Sequence, residues 1–145
     1  MEIHALKLSL SEQDLNDLLQ KHVPKDSEIE DLRVKLSDDG IHVTGVYPFF
    51  ISVRFETIWE VGVQSGQATV RLASFKAMGV PGNIFKSAIM KVVENVAKKE
   101  PWIRIEGDRI VVNLEAGCAK YATPARLNLK AVKIQAGQLL VEAGA

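Results

Sequence analysis

Three histidines, one cysteine and a pair of strand-borne carboxylates are the side chains with the most chemical scope in this 145-residue chain. Two histidines one helical turn apart with an acid between them would hold a metal. His4, His22 and His42 have no such spacing and read as surface or packing histidines. Cys118 would be a nucleophile if a nearby cation lowered its pKa. Between Gly117 and Ala119 it reads as a buried, inert thiol. Glu56 and Glu60 share a strand face with Arg54. Paired carboxylates can do acid–base work, but on an outward face beside an arginine they read as cross-strand ion pairs. Gly79-Val80-Pro81-Gly82-Asn83 runs into a helix, whose positive end attracts phosphate. It lacks the glycine-rich fingerprint and the Lys-Ser/Thr pair of nucleotide sites, so it reads as a turn and a cap with Asn83 in the capping position. The expectation is a protein that is not an enzyme, with no catalytic residue, no metal and no cofactor.

Charge and composition narrow the partners. Eighteen basic residues balance eighteen acidic ones. Nucleic-acid binding, which needs clustered excess Lys and Arg, is not indicated. A single cysteine excludes an internal disulfide framework. Hydrophobic residues make up 47% and charged residues 25%, the balance of an ordinary globular domain, and residues 1–145 are expected to form one domain. No apolar run approaches the length of about 18 residues that a membrane span requires. Met1-Glu2-Ile3 leads into a strand pattern with no leader in view, so a cytoplasmic location, with peripheral contact to a membrane as an option, is expected.

The pattern of apolar residues supplies the scaffold. Ile3, Leu6, Leu8 and Leu10 suggest a first strand. Ser11-Glu12-Gln13-Asp14 starts a short helix with a capping-box spacing, and Leu15, Leu18 and Leu19 follow at helical intervals up to Pro24. Leu32, Val34 and Leu36 alternate, Ser37-Asp38-Asp39-Gly40 turns the chain, and Ile41 and Val43 resume the alternation. Tyr47-Pro48-Phe49-Phe50 interrupts it; three aromatics there would gate a cavity, dip into a membrane or pack a core corner. The longest alternation follows, with Ile51, Val53, Phe55, Thr57, Trp59, Val61 and Val63 on one face. A strand of that length could reach about 40 Å. Ser65-Gly66 turns it back, and a phase slip near Ala73-Ser74 predicts a bulge before the hairpin ends at about Met78. Ile84, Phe85, Ala88, Ile89, Val92, Val93 and Val96 then cover half the circumference of a helix spanning Asn83 to Lys99. After Pro101 come a hairpin from Trp102 to Leu114, an irregular stretch with a short helix around Cys118 to Tyr121, a strand from Leu127 to Ile134 with a phase slip, and a last strand at Leu139 to Val141.

This order of elements resembles the bacterial LmeA-like phospholipid-binding family, related to the tubular lipid-binding superfamily that includes BPI-like and SMP domains. The resembling pieces are Leu8-Ser9-Leu10-Ser11-Glu12-Gln13-Asp14-Leu15-Asn16, Leu36-Ser37-Asp38-Asp39-Gly40-Ile41-His42-Val43-Thr44-Gly45, Met78-Gly79-Val80-Pro81 with its helix, and Asp108-Arg109-Ile110-Val111-Val112. The resemblance implies a strongly curved antiparallel sheet around the long helix, with acyl chains held in the seam and not turned over. Members commonly carry a secretion signal or membrane anchor, and none is visible here.

Together these readings predict an α+β fold, a long and highly twisted antiparallel sheet wrapped around one long helix, with a short helix near the N-terminus. They predict non-catalytic binding of a lipid or similar amphiphile. Phe49, Phe50, Phe55, Trp59, Phe85, Ile89, Val92 and Val96 would supply the apolar lining, and Lys86 and Lys91 the headgroup contact. The alternative is an interaction module, in which the strand Ile51–Val63 or an edge strand pairs with a partner or a second copy as a homodimer.

Overall fold

The computed structural model of the chain describes residues 5–22, 29–48, 51–121 and 127–144. The elements run β1 (Ala5–Ser11), α1 (Glu12–His22), β2 (Glu30–Ser37), β3 (Gly40–Pro48), β4 (Ser52–Gln64), β5 (Gln67–Ala77), α2 (Gly82–Lys99), β6 (Ile103–Glu106), β7 (Arg109–Val112), α3 (Leu114–Tyr121), β8 (Asn128–Gln135) and β9 (Gln138–Gly144). The fold is α+β, as the pattern predicts. It contains two antiparallel sheets where one was expected: a six-stranded sheet ordered β2-β3-β4-β5-β7-β6 and a three-stranded sheet ordered β1-β9-β8. The second sheet closes by pairing the first strand with the last, Ala5 opposite Gly144 and Ser11 opposite Gln138. Local alternation identifies each strand but carries no trace of a pairing between opposite ends of the chain.

β4 and β5 form the predicted hairpin. Ile58 pairs with Ser74 but Trp59 with Leu72, which leaves Ala73 as the extra residue of the expected bulge. A second slip, between Leu129 and Ala131, marks the strand predicted to break phase near the C-terminus. The two-residue period places Val63 and Ala68 on the same sheet face as Trp59 and Leu72. One face of the six-stranded sheet therefore serves two layers. At one end Phe55, Trp59 and Leu72 pack against Phe85 and Ile89 of α2. At the other, Ala68 joins Leu129, Val141 and Ala143 of the three-stranded sheet.

β4 is flanked by β3 over Ser52–Trp59 and by β5 over Phe55–Gln64. It has strand neighbours on both sides over Phe55–Trp59, so a partner strand cannot pair along that central stretch. β2 is an edge strand, and α1 covers that edge with side chains instead of backbone. The Asn16 carboxamide accepts from the Val34 N–H at 2.8 Å and donates to the Val34 carbonyl at 3.0 Å. Glu12 accepts from the Leu36 N–H at 2.8 Å, and Gln20 donates to the Leu32 carbonyl at 3.2 Å. Glu12, Asn16 and Gln20 lie four residues apart and so share one helix face. The helix starts as predicted: the Ser11 hydroxyl accepts from the Asp14 N–H, and the Asp14 carboxylate accepts from the Ser11 N–H.

Other local expectations are corrected. The N-cap of α2 is Pro81, with no side-chain cap bond; its carbonyl takes the Ile84 and Phe85 amides, and Asn83 lies inside the first turn. Leu114 opens α3 instead of ending β7, because Asn113 caps it by accepting from the Ala116 N–H at 3.1 Å. In the β2–β3 hairpin Asp38 and Asp39 make the turn, and it is Gly40, the first residue of β3, that holds φ of 148°. An added Cβ there would lie 2.4 Å from the Trp59 carbonyl oxygen.

The β8–β9 turn carries Ala136 at φ 53° and Gly137 at φ 72°. A left-handed backbone costs an alanine about 1 kcal/mol and an asparagine less. Ala136→Asn should therefore raise stability by about 0.5–1 kcal/mol, read as a higher urea midpoint at unchanged slope.

Candidate functional site: an apolar cavity beside the second helix

α2 is held to the sheet through Phe85, whose side chain is 2% exposed. Its ring centroid lies 5.2 Å from that of Phe55 and 6.0 Å from that of Phe75. Beyond this contact the helix and sheet do not close completely. A cavity of about 340 Å³ lies between them. Ile89, Val92, Val93 and Val96 form the helix wall; Ile41, Val43, Phe55, Trp59, Val70 and Ile110 form the sheet wall; Leu19 of α1, with Ile29, Leu32 and Ile103, completes it. Its volume is near the lower end of the range for small-molecule sites, about 300–1,000 Å³.

The wall that the described residues expose is wholly apolar. Thr57 is the one polar residue on it among the described residues, and its hydroxyl is engaged both as donor and as acceptor. It donates to the Val43 carbonyl at 3.0 Å and accepts from the Trp59 indole N–H at 2.8 Å. A polar solute entering the cavity would lose hydrogen bonds to water and find none in return.

Of the residues singled out from sequence, Phe55, Trp59, Ile89, Val92 and Val96 come together around this cavity. Phe85 packs in the core behind Phe55 and does not border it. Lys86 and Lys91 are exposed on α2, and neither borders it. Phe49 and Phe50 lie outside the described residues, as does His4, and nothing of the His22 and Cys118 side chains is described. Tyr47 of the same aromatic run packs against the Phe55–Phe85 cluster. Sequence reasoning missed Leu19, Ile29, Leu32, Ile41, Val43, Val70, Val93, Ile103 and Ile110. Leu32, Ile41 and Val43 were legible as the inward phase of a hairpin, but nothing local places that hairpin opposite α2.

The polar surroundings divide into two. A cleft of about 390 Å³ between α1 and the start of β2 shares Leu19, Ile29 and Leu32 with the apolar cavity. Asp17, Gln13 and Gln20 line its helix side, Asp31 and Arg33 its strand side. On the opposite face of the sheet is a depression of about 630 Å³ bordered by Arg33, Arg54, Lys76, Asp31 and Glu56. Arg54, Lys76 and Glu56 alternate in sign there, as on a solvated sheet face, while Asp31 and Arg33 at the sheet edge are shared with the cleft.

His42 stands near this outer face with both ring nitrogens occupied. Nε2 lies 2.7 Å from Asp39 and Nδ1 3.2 Å from Glu56. The hydrogen bond to Asp39 holds the imidazole above its ordinary 6.5; burial opposes this, and Glu56 adds to it. The same bond to His42 holds the Asp39 carboxyl below 3.8. An imidazolium bridging two carboxylates has no free nitrogen to act as a base, which makes this trio an ion-pair bridge. Glu60, the other carboxylate considered, pairs with Arg71 at 2.6 Å across the β4–β5 hairpin, as an outward face predicts, although the partner is not Arg54.

The pH dependence follows from the signs. The stability contributed by His42 is fully present below about pH 6.5 and is lost as pH rises through the raised imidazole value. The part from Asp39 is present above 3.8 and is lost as pH falls through its lowered value. Denaturation midpoints should therefore decline as pH rises above about 6.5, and His42→Gln should flatten that decline. An unchanged slope in the variant would show that the bridge contributes nothing.

No protein-family model matches the chain, and no curated protein or solved structure matches it either. Among the described residues no helix is long and apolar enough to cross a membrane.

Proposed function

We propose that this protein binds the hydrocarbon part of a lipid or similar amphiphile, without catalysis, between α2 and a six-stranded sheet that curves around it. The observation carrying this reading is the absence of any free hydrogen-bonding group among the described residues of the cavity wall, where the Thr57 hydroxyl is engaged on both sides. Apolar burial contributes about 0.8 kcal/mol per methylene. A cavity of about 340 Å³ holds on the order of ten groups of water size. A chain of that length gains enough to bind with no polar motif. Dry apolar space is also unstable packing, because its lining atoms lack partners on one side. The resemblance to LmeA-like lipid-binding proteins supports the same reading.

Native mass spectrometry of the purified chain, followed by solvent extraction, tests it. An amphiphile near one equivalent is expected. Val92→Trp, which fills the cavity from the helix side, should release it while keeping the fold. A mass that stays that of the bare chain when phospholipids and fatty acids are offered would overturn the reading.

A further inference from the structure

The cavity has a polar neighbour, and the shared wall says which way a bound molecule points. Leu19, Ile29 and Leu32 belong to both the apolar cavity and the cleft between α1 and β2. A hydrocarbon in the first space therefore has a polar outlet past these three side chains. Across from the helix, that outlet is flanked at the sheet edge by Asp31 and Arg33, which also border the depression on the outer face.

Two observations set these residues apart. They lie at a bulge, where the register slips between Glu30 and Arg33. Asp31 holds φ of 54°, a left-handed conformation that costs a non-glycine residue free energy and is concentrated at binding sites. Both side chains are exposed, and so can meet a ligand. A separated cation and anion at the mouth of an apolar cavity complement a headgroup with both signs. A simple anion would meet Asp31, and a simple cation would meet Arg33.

Resting on the reading above, we propose that the ligand is a single-chain zwitterionic amphiphile of the lysophospholipid class. Its one tail lies in the cavity, its phosphate faces Arg33 and its ammonium faces Asp31. The cavity volume sets the count of tails, since a second chain has no comparable apolar space among the described residues.

Titration calorimetry on the full chain, with probes below their micelle concentrations, tests this. Dodecanoyl lysophosphatidylethanolamine should bind about tenfold tighter than dodecanoate or dodecyltrimethylammonium. Arg33→Gln and Asp31→Asn, the second chosen because asparagine tolerates the left-handed backbone, should each remove about that tenfold preference. Neither should alter binding of neutral monododecanoylglycerol. Equal affinity for all dodecyl probes in the parent chain, or a preference indifferent to both variants, overturns the headgroup assignment while the tail cavity stands. Equal affinity for the two-chain dodecanoyl phosphatidylethanolamine overturns the single-tail assignment. Failure of every probe to bind overturns the cavity reading itself and this proposal with it.

Discussion

Replacing Phe85 by alanine is expected to lower folding stability by about 3–5 kcal/mol. The side chain is 2% exposed and stacks obliquely on Phe55 and Phe75, so truncation removes both aromatic contacts. It also leaves a void that the neighbours cannot easily fill, because Phe55, its nearest ring, already borders the cavity on its other side. The adjacent Ile84 is 43% exposed and serves as the control. Ile84→Ala should cost well under 1 kcal/mol more than a surface substitution usually does. Urea midpoints for the two variants check the pair. Similar, small losses would mean that α2 is not anchored where Phe85 places it.

Gly40→Ala is the second large expectation. Two costs coincide at this position. The backbone sits at φ 148°, which L side chains rarely adopt, and the new methyl would lie 2.4 Å from the Trp59 carbonyl oxygen. The obstructing atom is main chain in the neighbouring strand, so no rotamer change relieves it. Strained backbone of this kind costs about 1–3 kcal/mol before the steric term is added. A loss of at least about 3 kcal/mol is expected, with a change in Trp59 fluorescence because the register Ile41 opposite Trp59 must shift. An unchanged midpoint and spectrum would show that the β3–β4 register yields readily at that end.

Much of this architecture was legible in the chain. Strand alternation, the bulge at Ala73, the Ser11–Asp14 capping box and the apolar stripe of α2 are local signals, each readable within a few residues. The division into two sheets was not, because the pairing of β1 with β9 joins residues at opposite ends of the sequence. The α3 start was missed because Leu114 continued an apolar alternation that Asn113 in fact interrupts. The cavity was half legible for the same reason. A stripe wider than a flat sheet covers pointed to Val92 and Val96, but the opposing Leu32, Ile41 and Val43 belong to a hairpin whose location is a tertiary fact. Nothing in the sequence singles out Asp31; the backbone angle does.

The cover that α1 provides for β2 has a kinetic side. The amides of Val34 and Leu36 are shielded by Asn16 and Glu12 of a neighbouring helix, not by a paired strand. Their exchange with solvent deuterium therefore needs only the departure of that helix, a local opening far cheaper than separating β3 from β4. The same departure takes Leu19 off the cavity wall. Two amide protons on an outer strand thus act as a clock for how often the interior is uncovered.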